Sequence, residues 1–106
     1  MATKQYHEPA QELPQDTRTK ARQLTSLIEE AEAINWYMQR LAVEQDGEAA
    51  DVMRHAQQEE FIHFGIDLEF LLRRMPAWRI VLKNILFQDG DLIDLAEHAE
   101  DKEMAL

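Results

Sequence analysis

The sequence has no cysteine and little proline or glycine, and each shortage excludes a class of protein. Among 106 residues there are 3 glycines and 3 prolines, and aromatic residues make up 8%. Without cysteine the chain can form neither a disulfide frame nor a thiolate metal site. Hydrophobic residues still account for 45% of the chain, which, with so few turn residues, is typical of a mainly helical protein. We therefore expect one all-α domain.

Long apolar runs and an excess of positive charge are also missing. No stretch of about 18 uncharged apolar residues occurs, so no membrane span is predicted. The amino terminus, MATKQYHEPAQELPQD, lacks the apolar core of a secretory signal, and a cytoplasmic location is favoured. The net charge of −10 argues against a nucleic-acid partner, because phosphates would be repelled, although an acidic surface can attract cations.

Periodicity and turn signals divide the chain into three parts. Residues 1–15 are polar and aperiodic, and we expect a mobile arm. Residues 16–75 should form a helical hairpin that carries the functional residues, and Pro76 should break the second helix. Residues 76–106 should form a C-terminal helical segment used in assembly, with helices at about 77–87 and 92–103.

Cap residues predict where these helices begin and end. The first helix is predicted to start at a cap on Asp16 or Thr17 and to run to about residue 45. Gly47 is predicted to end it in a left-handed conformation. The second helix should span about 48–74, and Asp91 should cap the last one after a turn at residues 88–90.

Charged residues interrupt the apolar seam of both long helices. The first seam consists of Leu27, Glu30, Ile34, Tyr37 and Leu41, and the second of Met53, Ala56, Glu60, His63 and Asp67. Counted from Gly47, Glu30 lies 17 residues back, while Glu60 and His63 lie 13 and 16 residues on. At about 1.5 Å per residue all three are roughly 20 to 26 Å from the bend, so an antiparallel hairpin sets them level.

These three residues suit a metal site. Glu60 and His63 are three apart and share one helix face, while a buried, ionised Glu30 costs several kcal/mol unless a cation or hydrogen bonds compensate. A Glu from each of two helices and a Glu-x-x-His from each of two others make a di-metal set in four-helix bundles. This chain carries half of that set. Since a lone hairpin also leaves its apolar stripes in water, we expect a homodimer that forms a four-helix bundle.

At these residues the sequence resembles a known family. EEAEAINWYMQR (29–40) and HAQQEEFIHF (55–64) are similar to blocks of the encapsulated ferritins, the two-helix relatives of ferritin housed in encapsulin shells; LEFLLRRMPAW (68–78) and ILFQDGDL (85–92) fit the same pattern. The resemblance implies a ferritin-like bundle, a di-iron ferroxidase centre between two chains, and an annular decamer of five dimers. It also implies an encapsulin shell protein as partner and a location inside that nanocompartment.

The resemblance assigns roles residue by residue. It implies that Glu30, Glu60 and His63 are the iron ligands and that Trp36 and Tyr37 are the aromatic pair beside the centre. It places Glu29 and Glu32 at an acidic uptake site, which would take iron, calcium or another divalent cation. Read from the residues alone, Tyr37 is either a hydrogen-bond donor to a ligand carboxylate or a core aromatic, Trp36 is a packing residue, and Glu29 and Glu32 are solvated.

Other histidines give weaker signals. His55 and Glu59 match a further surface metal site of the family, but Ile62 stands where that site has another carboxylate. His7 and His98 have no convincing partner. The chain ends in Asp101-Lys-Glu-Met-Ala-Leu, which shows none of the apolar targeting peptide that members of the family usually carry. Either that peptide has been trimmed, or the protein is not shell cargo by that route.

The sequence thus predicts an enzyme that oxidises Fe(II) with dioxygen and feeds iron storage in an encapsulin compartment. The alternative from another class is a non-enzymatic acidic helical scaffold or adaptor, in which the three ligands are separately hydrated. A hemerythrin-like carrier would need more than the 4 histidines present. A rubrerythrin-like peroxidase would carry its whole ligand set on one chain.

Overall fold

A computed structural model describes residues 4–106 and confirms the all-α class. A short 3₁₀ helix, Ala10–Glu12, precedes two long helices, α1 (Gln15–Val43) and α2 (Gly47–Leu72), which form the predicted hairpin. Two shorter helices follow, α3 (Pro76–Lys83) and α4 (Leu92–Met104), and residues 4–106 contain no strand. The first three residues of the predicted arm lie outside the described part, and the arm's mobility stays a prediction.

The start of α1 differs from the predicted cap. The residue before the helix is Pro14, with φ −57° and ψ 152°, and it makes no side-chain cap hydrogen bond. Asp16 lies inside the first turn, where the helix dipole favours an acid, and its carboxylate pairs with Lys20 at 2.8 Å. The predicted cap at Asp16 or Thr17 is therefore wrong, because the extended proline already directs the chain into the helix.

The turn between the long helices also corrects a prediction. α1 ends at Val43, and Glu44 is extended, with φ −73° and ψ 126°. Gly47 begins α2 instead of ending α1, and of the glycines only Gly90 has a positive φ, 123°. The residue that matters is Asp46, whose Oδ1 accepts a hydrogen bond from the Ala49 N–H at 2.8 Å. It satisfies a donor at the start of α2 that would otherwise lack a partner.

One hydrogen bond fixes the register of the hairpin. The Gln57 side-chain amide of α2 donates to the Ile34 carbonyl oxygen of α1 at 3.2 Å, so these two positions lie level. Burial is slight for two helices of this length, because none of the 29 residues of α1 is buried. Among residues 4–106, the buried hydrophobic residues are Ala50, Leu71, Leu72 and Ala99. The apolar seam of the hairpin is thus only half covered within one chain.

The chain divides into two compact units, one ending at Leu71 and the other spanning Leu72–Leu106. In the second unit α3 packs against α4. Pro76 opens α3 at the position that needs no N–H donor. The helix ends at Lys83, earlier than predicted, because the Asn84 side chain donates to the Ile80 carbonyl oxygen at 2.7 Å and Phe87 takes a positive φ of 61°.

The cap of the last helix is confirmed. The Asp91 carboxylate accepts from the N–H groups of Ile93 and Asp94, both at 3.1 Å, and α4 begins at the next residue, as expected from an Asp at a helix N-cap. Within residues 4–106, no helix is both long enough and apolar enough to cross a bilayer.

Candidate metal centre

The hairpin brings four of the predicted ligands to one open depression. It is lined by Ser26, Glu29, Glu30, Ala33, Glu60 and His63, and we call it the acidic depression. The first four of these residues lie on α1 and the last two on α2. The lining includes all three residues predicted to bind iron. It also includes one of the two acids predicted to take up cations.

Within this depression, ionisation of the Glu30 carboxyl is electrostatically disfavoured. Its Oε2 atom is buried and has no hydrogen-bond donor. Burial raises the pKa of Glu30 from 4.5 to about 7, with further contributions from a side-chain hydrogen bond to Asp67 and from the negative charges of Asp67, Glu60 and Glu29. Two ionised carboxylates offer each other no donor, so Glu30 and Asp67 can pair only when one holds a proton. Near pH 7 this group needs a proton or a cation.

Glu60 and His63 complete the donor set on α2. Glu60 is half-buried and His63 is exposed, so the imidazole lies at the open side of the depression. Carboxylate oxygens and an imidazole nitrogen are hard and borderline ligands, which suit Fe(II) and similar divalent ions. The uncompensated Glu30 oxygen is the feature that a cation would satisfy, so these residues fit a metal ion.

The depression is only part of a ligand set. Across residues 4–106 of the one chain, no three side chains of His, Cys, Asp or Glu come together closely enough to hold a metal ion. The predicted centre requires ligands from two chains, and each chain would supply its half from this depression.

Two residues assigned by resemblance do not line the depression in one chain. Glu32, the second acid of the predicted uptake site, is half-buried outside the lining. Tyr37 is half-buried, and the Arg40 guanidinium lies 5.5 Å from the centre of its ring. Their roles stay predictions for an assembled centre.

Trp36 lies on the surface of α1. It is 47% exposed and, with Gln39 and Arg40, lines a separate shallow depression. A tryptophan so open to solvent is not a core residue of the single chain, and the predicted packing role would need another surface to cover it.

The remaining histidines are exposed. His55 and Glu59 lie on the solvent side of α2, while His7 and His98 lie on other exposed parts of the chain.

Sequence reasoning did not assign a role to Asp67, although it placed this residue on the seam of α2. Asp67 is half-buried and contacts the Glu30 carboxyl. A signal was available, because Asp67 follows His63 by four residues and Glu60 by seven, which keeps all three on one helix face.

Known proteins are similar to this chain over most of its length. The chain matches the EncFtn-like family over residues 5–89. It is 40% identical over 93 residues to a "Ferritin-like protein" of Thermotoga maritima, an alignment that covers 88% of this chain and 82% of the relative. It is 35% identical over 86 residues to an "Encapsulated ferritin-like protein" of Rhodospirillum rubrum, covering 81% of this chain but only 61% of that relative.

A solved structure is also similar to this chain. The crystal structure of a protein from Nitrosomonas europaea matches with a TM-score of 0.80 at 38% identity, covering 82% of this chain and 96% of that one. The family match spans both long helices and the acidic depression between them. The chain belongs to the EncFtn-like family, the family of the encapsulated ferritins.

Proposed function

We propose that two copies of this chain bind Fe(II) between their acidic depressions and oxidise it with dioxygen. Membership of the EncFtn-like family supports a ferritin-like, iron-related function. The observation that carries the proposal is the Glu30 carboxyl, whose Oε2 atom is buried without a hydrogen-bond donor in a depression shared with Glu60 and His63. Such a group is costly in a folded protein unless a cation compensates its charge.

The second chain is needed for both ligands and burial. α1 buries none of its residues, and α2 exposes large apolar side chains on the side of His63, including Val52 at 65% and Ile66 at 61%. Association across this face would cover apolar surface and bring together four Glu and two His, the di-metal set of ferritin-like bundles. We propose a homodimer as the catalytic unit, assembling further into an annular decamer.

In the proposed reaction Fe(II) is the substrate. Glu30, Glu60 and His63 hold two Fe(II) ions, each ion gives one electron to dioxygen, and two protons complete hydrogen peroxide. The carboxylates favour the product charge, since oxygen ligands bind Fe(III) more strongly than Fe(II). Tyr37 is proposed to orient a ligand carboxylate in the assembled centre.

The acids Glu29 and Glu32 are proposed to guide cations toward the centre. Glu29 already lines the acidic depression, and a divalent ion such as calcium would bind there for the same electrostatic reason as iron. The oxidised iron is proposed to be stored in an encapsulin compartment in the cytoplasm, with the encapsulin shell protein as partner. The Rhodospirillum rubrum relative, whose name describes it as encapsulated, supports this location.

The test is Fe(II) oxidation under air by the purified chain and by Glu30→Ala and His63→Ala. Each substitution should slow the oxidation at least about tenfold, because the centre loses the same ligand from both chains. Glu97→Ala and His98→Ala are matched controls, since they remove the same side chains from exposed positions on α4. They should oxidise iron like the parent. If Glu30→Ala and His63→Ala also match the parent, the proposed ferroxidase is wrong.

Assembly supplies a separate test. Native mass spectrometry without oxygen should show more dimer when Fe(II) is added, because an ion held by two chains stabilises their complex by mass action. A monomer that is unchanged by Fe(II) would contradict a centre shared between chains.

A further inference from the structure

Asp67 is an acid in the hairpin that the proposed reaction leaves without a task. It lies on α2 and is half-buried, and its carboxyl is in hydrogen-bonding contact with the Glu30 carboxyl of α1. Two acids side by side in a partly dry site repel when both are ionised. A contact that serves only packing would be made at lower cost by a neutral side chain.

The register of the hairpin explains how the two acids meet. Gln57 and Ile34 are level, and from that point Asp67 lies ten residues along α2, while Glu30 lies four residues back along α1. The α-carbons of Glu30 and Asp67 are therefore about 9 Å apart along the axis of the hairpin. Helical side chains lean toward the N-terminus of their own helix, and in antiparallel helices this leans Glu30 and Asp67 toward each other.

The position of Asp67 separates it from the candidate ligands. The side chains that line the acidic depression among residues 4–106 include Glu30, Glu60 and His63 but not Asp67. Asp67 thus contacts Glu30 without being one of the side chains that line the depression. Any effect of Asp67 on an ion is transmitted through the Glu30 carboxylate and through its own charge.

We infer that Asp67 is a positioning residue, a backing carboxylate that acts through Glu30: its negative charge beside Glu30 strengthens the binding of a cation in the acidic depression. The inference rests on the proposed function, because it concerns the same cation site. A cation bound to Glu30 offsets the repulsion between the two carboxylates, so the cation stabilises the ionised form of both acids. The chemical class of ligand is a divalent cation with a preference for oxygen and imidazole donors.

The experiment uses Co(II) as the probe, without oxygen, at pH 7.5. Calorimetry measures its affinity for the parent and for Asp67→Asn, and visible absorption reports the ligands around the bound ion. Asp67→Asn should bind Co(II) about tenfold more weakly, which is what one charge about 6 Å from a divalent ion is worth even at the dielectric constant of water. The absorption bands should keep their positions, because the directly bound side chains are unchanged.

A second variant and a matched control sharpen the result. Asp67→Ser also removes the charge and should weaken binding to the same extent, so the conclusion does not depend on one side chain. Asp51→Asn makes the same substitution on the same helix, nine residues before Glu60 and about 14 Å away along the axis. It should bind like the parent, since salt screens a surface charge at that distance. Melting with a chelator checks that all variants are folded.

The outcomes distinguish this inference from the proposed function. If Asp67→Asn and Asp67→Ser bind Co(II) as tightly as the parent, or no more weakly than Asp51→Asn, Asp67 has no backing role. If the absorption bands shift, Asp67 is a direct ligand and the inference is wrong in a different way. If Glu30→Ala and His63→Ala bind Co(II) as well as the parent, the metal site itself fails, whatever Asp67 does.

Discussion

Replacing Glu30 with glutamine should make the metal-free protein more stable at pH 8 and should abolish its stabilisation by metal. Glutamine keeps the size and shape of the side chain but cannot be ionised. The Glu30 carboxyl has its pKa raised from 4.5 to about 7, chiefly by burial and then by Asp67. The folded protein therefore resists a charge that the unfolded chain accepts freely. Glutamine removes that conflict and, with it, one of the proposed metal ligands.

The sign and size follow from the two pKa values. Below pH 4.5 Glu30 is protonated in both states and costs nothing. As the pH rises through about 7, the folded state must ionise as well, and the stability present at low pH is lost. The difference between 4.5 and about 7 corresponds to at most about 3.5 kcal/mol, at about 1.4 kcal/mol per pKa unit. Because the acidic depression is open to water, which screens charge, we expect about 1 kcal/mol.

The assay is thermal or urea unfolding with a chelator at pH 5.5 and at pH 8. At pH 8 Glu30→Gln should melt about 5 °C above the parent, and at pH 5.5 the difference should be less than half as large. Glu59→Gln, an exposed neighbour on α2, should show no such pH-dependent difference. If Glu30→Gln is less stable than the parent at pH 8, then the Glu30 carboxylate is already well compensated within the chain, and the reasoning fails.

Three further predictions concern pH, metal and the helix cap. Fe(II) oxidation should rise as the pH increases through about 7, because iron must displace the proton that Glu30 holds below that pKa; a rate profile with no inflection between pH 5.5 and 8 would contradict this. Adding a chelator should lower the melting temperature of the iron-loaded parent but leave that of Glu30→Ala unchanged, as calorimetry would show. Asp91→Ala should destabilise the protein by about 1 kcal/mol, since the N–H groups of Ile93 and Asp94 lose their acceptor, and urea unfolding of Glu97→Ala provides the comparison.

The sequence was most informative where one physical requirement dominates. A helical period with acids at a single level of the seam was enough to predict the hairpin and the meeting of Glu30 with Glu60 and His63, which the structure places around one depression. The Asp91 cap was also predictable, because an Asp between a glycine turn and an apolar helix is a typical N-cap residue.

The predictions failed where two local solutions compete. Asp46 and Gly47 can end one helix or begin the next, and a three-residue link lets Asp46 cap α2, so the glycine has no left-handed role. Asp16 was predicted to cap α1, but the extended Pro14 holds that position and Asp16 lies in the first turn. Glu30 and Asp67 are not level along the hairpin, and their contact depends on both side chains leaning toward each other. A count of residues from the turn gives the levels of the two positions but not the direction of their side chains.

Burial and charge both favour the proposed association of two chains around bound cations. α1 lacks a fully buried residue, so the hairpin alone leaves part of its apolar seam in water and forgoes that part of the hydrophobic effect. At the same time Glu30 lies against Asp67 and near Glu60, and the folded chain pays for their repulsion. A second copy would cover the apolar seam but would bring another set of acids to the same place. Only cations relieve that repulsion without removing the charges, so in the proposed dimer association and metal binding should favour each other, and by linkage each should strengthen the other to the same degree.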